Sequence, residues 1–520
     1  MDATSPEPAT AQPARVQRAV LVVAILGSSM AFIDGTVVNV ALPAIQRDLQ
    51  ATAFQAQWVV ESYALFLAAL LLAGGALGDR LGRRGVFATG VAIFALASVA
   101  CGLAASIQQL ITARAVQGVG AALLVPGSLA LISANFGEHE RGQAIGTWSG
   151  FSGITAAVGP VLGGYLVDHW SWHWAFLLNV PLAACVLWLV WRHVPESRDP
   201  SARGAPLDGW GAVWATAALG GVVYAFVEAP TQGWRAAPVL GSLAGGLVAC
   251  AAFVFTEVRA KAPMMPLHLF RNRNFTGANL ATLLLYSALG GSLYFFPLAL
   301  IQVQGYSATA AGAALLPFVL ILFAFSRPAG RVVDRFGPRG PLVVGPLVAA
   351  AAFVLFAVPG VGGAYWRTYL PAVVLLGIGM TITIAPLTTT VMNAVDVEHA
   401  GTASGVNNAV SRVAGVLAIA IFGLLMAWVF GQHLRSALDA LALPVTLRDA
   451  VLAQESRLAG AAIPAGLDAA LAERLHRAIG EAYIAGFRWV MGAAAALAVL
   501  GAGCAWAWIE RTSPSSPRRT

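Results

Sequence analysis

The sequence has 520 residues, of which 58% are apolar and only 11% are charged. Ordinary soluble domains carry about 45–50% apolar and about 25% charged residues, so this composition excludes a soluble protein. The net charge of +7 does not indicate a nucleic-acid partner, because the basic residues lie in alternate connections between apolar blocks. The four cysteines lie inside those blocks without CxxC spacing, so we expect no disulfide framework and no metal site.

Fourteen apolar blocks predict fourteen membrane-spanning helices. Each block is about 20 residues long, which is the length that a helix needs to cross a hydrocarbon core of roughly 30 Å. Lipid-spanning strands would instead show about 10 residues of alternating polarity, and these blocks are apolar on nearly every side. The blocks lie at 19–42, 56–78, 86–104, 108–133, 144–167, 173–191, 210–229, 237–257, 275–300, 308–326, 341–358, 368–392, 404–430 and 484–508.

Lys and Arg in the connections predict the orientation, because these residues are retained on the cytoplasmic side. The two chain ends and the even-numbered connections hold 20 of the 31 basic residues, whereas the short odd-numbered connections hold three. We therefore expect a multi-pass protein of the cell inner (cytoplasmic) membrane with both termini in the cytoplasm. Residues 1–18 are predicted to form a disordered cytoplasmic tail.

An internal repeat divides the spans into two halves. GALGDRLGRR at 75–84 recurs as GRVVDRFGPR at 330–339, and Pro126 recurs as Pro386, with offsets of 255 and 260 residues. Two six-helix halves need an offset near 200, so the surplus of about 60 residues predicts an inserted helix pair. The predicted divisions are a bundle at 19–195, the pair at 205–258, a bundle at 270–508 with an extracytoplasmic loop at 431–483, and a cytoplasmic tail at 509–520. Because the repeated basic connections share one side, the halves are parallel repeats with a substrate path between them.

Several segments resemble motifs of the major facilitator superfamily, and specifically of its fourteen-span drug:proton antiporters, the EmrB-like and QacA-like exporters. The basic loop at 74–84 resembles the superfamily signature. The matching segments are AFIDGTVVNVALP at 31–43, LITARAVQGVGAALLVPGSLALI at 110–132, VGPVLGG at 158–164 and WSWHWAFLLNVPLA at 170–183. The resemblance implies an all-α major facilitator fold with two six-helix bundles plus an inserted helix pair. It also implies multidrug efflux driven by the proton gradient, without a cofactor.

Asp34 is the first candidate site residue. A carboxylate in mid-membrane costs about 2.5–3.5 kcal/mol on insertion scales, so we expect it to face the bundle interior and to carry a function. We interpret Asp34 as the proton-coupling acid. The alternative is a structural acid that is hydrogen-bonded to the backbone or to Asn39.

Arg114 is the lone base of the fourth block. Gln117, three residues later, shares its face of the helix. The resemblance implies that this arginine takes part in proton transfer, and the alternative is a static ion pair with Asp34. Glu61 is interpreted as an outward-facing proton acceptor or as the partner of a cationic substrate, with an interfacial charge as the alternative. The predicted substrate cavity contains Asp34, Asn39, Glu61 and Gln117.

Two glycine-containing segments are predicted to govern conformational change. The repeated basic loop is interpreted as a conformational latch, because an anchor of positive charge would not explain Gly and Asp at the same spacing in both halves. Gly78 and Gly82 are expected to allow a tight turn. The latch residues are Gly75, Gly78, Asp79, Arg80, Gly82, Arg83, Gly330, Asp334, Arg335 and Gly337. The resemblance further implies an antiporter hinge at Gly159, Pro160, Gly163 and Gly164.

The expected function is proton-coupled antiport that exports small hydrophobic or cationic compounds from the cytoplasm or inner leaflet. A dedicated exporter of one native compound, such as a lipid, a siderophore or an antibiotic, is the alternative. A polytopic membrane enzyme is a remote alternative, because the sequence has no HExxH helix and no nucleophile elbow. The expected partners are the small-molecule substrate, protons and the lipid bilayer. The protein is expected to be a monomer, and a periplasmic adaptor is expected if it works in a tripartite pump. Arg412 is either a gate residue or a member of an internal ion pair, and the segment 431–483 is a lid or an interfacial cover with short amphipathic helices.

Overall fold

The computed structural model describes residues 13–198, 208–325, 337–396, 400–441, 443–464 and 466–511. Within these ranges the chain is helical, without strands, and fourteen helices are long and apolar enough to cross a membrane, as predicted. They are α1 Ala14–Asp48, α2 Ala53–Leu81, α3 Arg83–Gly102, α4 Ile107–Asn135, α5 Glu140–His169, α6 His173–His193, α7 Gly209–Gln232, α8 Ala237–Arg259, α9 Arg273–Val303, α10 Ala308–Phe325, α11 Arg339–Phe356, α12 Leu370–Asn393, α13 Gly401–Ala440 and α14 Ala469–Trp508.

Helix packing follows the six, two, six plan. In the first half α4 packs on α2 and α3, and α1 packs on α4, α5 and α6. In the second half α9 packs on α13 and α14, and α11 packs on α12 and α14. The halves meet where α5 contacts α10 and where α2 contacts α13, and the α7–α8 pair lies against the second of these seams through α7. The residue numbers at which the sequence divides the chain into bundles stay predictions.

Small residues allow the close helix contacts that membrane bundles require. A Cβ atom added at Gly74 of α2 would overlap the carbonyl oxygen of Ala122 of α4. A Cβ added at Gly120 of α4 would lie 2.6 Å from the backbone nitrogen of Phe94 of α3. The backbones of α2, α3 and α4 can therefore approach one another only because these positions carry glycine.

The two faces of the bundle differ. We call the face where α1 begins and α14 ends the basic face, and the opposite face, which carries the connection between α13 and α14, the cap face. This connection is 441–468, shorter than the predicted 431–483, because α13 and α14 continue as helices beyond their apolar blocks. Leu434, Leu438 and Leu475 are fully buried in these extensions, so tertiary packing keeps them helical.

The connection forms a cap with two short helices, Val445–Leu452 and Glu455–Gly460. Arg435 of α13 donates two hydrogen bonds to the carboxylate of Glu455, at 2.8 and 3.0 Å. Leu458 is buried and has a φ of 52°, in the left-handed region that favours glycine. The cap is thus held to α13 and inserts an apolar side chain into the protein.

Hydrogen bonds between the halves lie near the cap face in the described part of the chain. The side chain of Gln302 donates to that of Gln46 at 2.8 Å, and Gln57 donates to the carbonyl of Ile419 at 3.2 Å. Asp168, at the end of α5, accepts three bonds from the start of α10: from the backbone of Ala308 and Thr309 and from the Thr309 hydroxyl, at 3.0, 2.8 and 2.6 Å. The halves are therefore joined at the cap face.

Candidate functional site

A buried polar cluster surrounds Asp34 at the middle of α1. Arg114 Nη1 donates to Asp34 Oδ2, and the two side chains form an ion pair that is fully buried. The other carboxylate oxygen accepts from Gln117 Nε2 at 2.8 Å and from Asn179 Nδ2 at 3.1 Å. Asp34, Arg114 and Gln117 thus come together as the sequence predicts, and the carboxylate accepts from three side chains.

Arg114, the basic residue of the cluster, has contacts on several sides. Arg114 Nε donates to the carbonyl of Val59 in α2 at 3.0 Å, and Nη1 also donates to Gln117 Oε1 at 2.6 Å. Its guanidinium lies 4.2 Å from the ring centroid of Tyr63 and 5.6 Å from that of Phe176. Cation–π contacts of this kind stabilise a desolvated charge. The arginine therefore has partners of its own besides Asp34.

Two further side chains, Ser98 and Asn179, belong to this cluster and were not among the residues predicted from the sequence. Ser98 of α3 accepts from Gln117 Nε2 at 2.8 Å and from Asn179 Nδ2 at 3.4 Å. Asn179 lies at a break within α6, between His173–Leu177 and Asn179–His193, and its Oδ1 is buried without a hydrogen-bond partner in the described ranges. A lone asparagine in the apolar block 173–191 was the available signal. Ser98 gave none, because a hydroxyl is common in membrane helices.

Glu61 and Asn39 lie apart from this cluster. Glu61 is fully buried, and neither of its carboxylate oxygens has a hydrogen-bond partner among the described residues. Gln57 lies one helical turn away, but its amide donates across the seam to the carbonyl of Ile419. Tyr294 of α9, in the second half, lines the same small pocket as Gln57. Asn39 makes no bond to Asp34, and its buried Oδ1 likewise has no partner in the described chain.

Glu61 therefore faces the second half, whereas Asp34 is enclosed by the first. The predicted grouping of Asp34, Asn39, Glu61 and Gln117 around one substrate cavity stays a prediction. Arg412 of α13 is partly buried and lies across the seam from Tyr63 of α2. It forms no ion pair within the described residues, and its two interpretations, a gate residue or a member of an internal ion pair, both stay predictions.

The basic loop between α2 and α3 has a defined backbone turn and specific carboxylate contacts. Gly82 has a φ of 127°, a conformation that L side chains rarely adopt, so glycine is required at the turn. Asp79 pairs with Arg83 at 2.8 Å rather than with Arg80. Glu196, which the sequence analysis did not select, accepts from the backbone nitrogens of Arg84 and Gly85 at 3.0 and 3.1 Å. A carboxylate here stabilises the N-terminus of α3.

One expectation for this loop was wrong. Gly78 lies inside α2, which continues to Leu81, so it takes no part in the turn. Helical hydrogen bonding continues through this position, since the Gly82 nitrogen donates to the Gly78 carbonyl at 3.0 Å. In the repeated loop of the second half, Gly330, Asp334 and Arg335 lie outside the described residues, and Gly337 has a φ of 70°.

The Gly-Pro segment of α5 lies between the two halves. A Cβ added at Gly163 would lie 2.8 Å from Val37 Cγ1 of α1, and one at Gly159 would overlap Thr36 Oγ1 of the same helix. On the other side, a Cβ at Gly164 would overlap the carbonyl oxygen of Ala308, the first residue of α10. The predicted hinge thus occupies the contact between the halves, while its motion stays a prediction.

A family model and named proteins of similar sequence identify the family of this chain. Residues 24–419 match the model of the Major Facilitator Superfamily. The chain is 36% identical over 510 residues to the tetracenomycin C resistance and export protein of Streptomyces glaucescens, with 96% of this chain and 92% of the relative covered. It is 37% identical over 421 residues to the multidrug resistance protein Stp of Mycobacterium tuberculosis, with 80% and 77% covered.

Solved structures share the fold. A bacterial homologue of the human lysosomal transporter Spinster, in an inward-facing and occupied conformation, matches with a TM-score of 0.64 and 19% identity over 96% of this chain and 98% of the other. A D-xylose–proton symporter matches with a TM-score of 0.60 and 14% identity over 95% and 98%. These neighbours are transporters, and the sequence relatives are named for resistance or export, so the chain is a membrane transporter and not an enzyme. With its fourteen spans, its fold and its relatives, the chain belongs to the Major Facilitator Superfamily.

Proposed function

We propose that this chain is a proton-coupled antiporter that exports small hydrophobic or cationic compounds from the cytoplasm or the inner leaflet. The buried Asp34–Arg114 ion pair is the observation that carries the proposal. Export itself is supported by the relatives, which are named as resistance and export proteins. Proton coupling rests on the chemistry of the cluster.

The cluster supports proton coupling because protonation would change its contacts. Two neutral amides, a hydroxyl and a backbone carbonyl surround one acid and one base. A proton on Asp34 would cancel the ion pair and leave Arg114 with Gln117, the Val59 carbonyl and two aromatic rings as partners. Protonation would thereby favour a different arrangement of the helices that contribute to the cluster.

Glu61 fits the role of the proton acceptor that faces outward. Because α2 begins at the cap face with Ala53, Gln57 lies between Glu61 and that face. The hydrogen bond from Gln57 to the Ile419 carbonyl joins the halves on the cap-face side of Glu61. Separating the halves there would break this bond and admit water to the Glu61 carboxylate. An isolated buried acid of this kind is costly in the membrane and indicates a function.

The location and partners follow the same reasoning. We propose the inner membrane with the basic face toward the cytoplasm, which is supported by the Lys and Arg distribution. In this orientation the structure is closed toward the outside. We further propose that the protein acts as a monomer without a cofactor, and that an adaptor would dock on the cap face if the protein works in a tripartite pump.

Transport in proteoliposomes tests the proposal. Tetracenomycin C and puromycin are suitable probes, because relatives are named for resistance to them. Movement of either probe should follow an imposed pH gradient and stop when an ionophore dissipates it. Flux that is indifferent to the gradient would contradict proton coupling, and flux of one probe only would favour a dedicated exporter.

A further inference from the structure

A cavity of about 440 Å³ lies beside the seam between α2 and α13. We call it the seam cavity. Its walls come from both halves, from both helices of the inserted pair and from the connection before α9. Representative wall residues are Leu72, Leu219, Cys250, Met265, Leu280 and Val410. Its volume falls within the roughly 300–1,000 Å³ that is typical of small-molecule sites.

The cavity lies at the depth of the lipid leaflet next to the basic face. Leu72 lies nine residues before the end of α2 at Leu81, and Cys250 lies nine residues before the end of α8 at Arg259. At a rise of 1.5 Å per residue, these positions are about 14 Å inside the ends of their helices. On its outer surface α8 exposes Val248 and Phe255, so hydrocarbon surrounds the pair that encloses the cavity.

The chemistry of the wall favours an uncharged guest. Thr276 Oγ1 donates to the carbonyl of Phe270 at 2.6 Å. Asn279 Nδ2 donates to the Phe275 carbonyl at 2.9 Å, and its Oδ1 accepts from Asn407 at 3.1 Å. The remaining wall residues are apolar or cysteine. A charged or strongly polar guest would therefore lose hydration without gaining a partner, whereas an apolar guest would bury its surface.

The inserted pair is built as one unit that covers the seam. A Cβ at Gly221 of α7 would lie 2.6 Å from the Ser242 carbonyl of α8, and one at Gly246 would lie 2.9 Å from the Val222 nitrogen, so the two backbones are in contact. On the inner side of α7, Leu219 and Val223 join residues of α2 and α13 in one apolar cluster. The cavity is therefore continuous with the interface that must separate when the halves rearrange.

We propose that the seam cavity binds an uncharged, apolar small molecule dissolved in the adjoining leaflet and that α7 and α8 present this molecule to the path between α2 and α13. The delivery of this molecule to the path between α2 and α13 rests on the proposed export function, whereas its binding in the seam cavity does not. The inserted pair then acts as the receiving site for apolar cargo, at a place separate from the Asp34 cluster.

The chain contains a matched pair of probes for a binding test. Cys250 lines the cavity, whereas Cys185 lies on α6 outside it, and both thiols are exposed. Cys185 lies eight residues from the basic-face end of its helix and Cys250 nine, so their depths are similar. Cys504→Ala with Cys185→Ala leaves Cys250 as the reporter, and Cys504→Ala with Cys250→Ala leaves Cys185. The fully buried Cys101 stays in both variants.

Labelling by N-phenylmaleimide in nanodiscs, without a pH gradient, is followed while diphenylhexatriene is added. At ten times its Kd the probe should slow Cys250 labelling about tenfold and leave Cys185 labelling unchanged. Equal slowing at both thiols, or none at Cys250, would overturn the proposal. The trimethylammonium derivative of the same probe should protect Cys250 much less, and equal protection would contradict an uncharged guest.

Two matched variants test the location. Ala215→Phe fills the cavity from α7 and should abolish protection by diphenylhexatriene, whereas Ala217→Phe, on the exposed side of the same helix, should not. Protection that survives Ala215→Phe would overturn the proposal. If lipid removal alone speeds Cys250 labelling and the probe adds nothing, the occupant is a lipid and the proposal is wrong. Because no gradient is applied, failure of proton coupling leaves this test unaffected.

Discussion

Asp34→Asn separates a structural from a proton-carrying role of the buried ion pair. The variant leaves the fully buried Arg114 without its charge partner, which costs about 3–5 kcal/mol when one member of a buried pair is removed. Asparagine can present an acceptor oxygen to one side only. Its NH₂ group must therefore face either Arg114 Nη1 or the amides of Gln117 and Asn179, all of which donate to Asp34. We expect a loss within that range, measured by reversible denaturant unfolding in detergent.

The double variant Asp34→Asn with Arg114→Gln removes the unpaired charge and serves as the control. It should regain most of the lost stability, because the remaining groups are neutral and hydrogen-bonding. Probe transport driven by a pH gradient should be absent in both the single and the double variant. If the double variant restores gradient-driven transport together with stability, the ion pair is structural and the proton is carried elsewhere.

Three other substitutions have distinct expected outcomes. Glu61→Gln breaks no hydrogen bond in the described chain, so stability should hold while the pH profile of transport changes, and an unchanged profile would argue against a proton at this site. Gly74→Ala places a methyl group against the carbonyl of Ala122 and should lower the free energy of unfolding by about 1–3 kcal/mol. Gly75→Ala meets only ordinary van der Waals contact and should change it little. Equal effects of the two substitutions would contradict a close α2–α4 contact at Gly74. Asp168→Ala removes three hydrogen bonds between the halves, so spin labels at the cap-face ends of α5 and α10 should move apart, and an unchanged distance distribution would exclude a closing role.

Features set by the bilayer could be predicted from the sequence. The hydrocarbon thickness fixes the length of each span, so fourteen apolar blocks became fourteen helices. The same reasoning placed Asp34 and Arg114 in the interior, because charges facing lipid are costly. It failed where helices leave the membrane. The extensions of α13 and α14 depend on the burial of Leu434, Leu438 and Leu475, which tertiary packing decides.

Membership of the polar cluster was predictable only along single helices. Gln117 follows Arg114 by three residues, so helical periodicity brings them together. Ser98, Asn179 and the Val59 carbonyl reach the cluster from three other helices, and no local pattern shows which faces of those helices will meet. Glu61 and Asn39 were grouped with Asp34 because the sequence shows that all three are polar residues within the membrane. It does not show which neighbouring helix each side chain faces.

The hydrogen bonds at the cap face also determine how often the resting protein opens outward. Among the residues that the structure describes, five bonds join the halves there, through Gln57, Gln302 and Asp168. At about 0.5–1.5 kcal/mol net each, breaking all of them without replacement costs about 2.5–7.5 kcal/mol, so roughly one molecule in seventy to one in three hundred thousand would be open at rest. A membrane potential of 100 mV supplies about 2.3 kcal/mol per charge, which falls below that range. For the proposed proton-coupled antiporter, proton entry without cargo would therefore be a rare event, and cargo binding would contribute the remaining free energy.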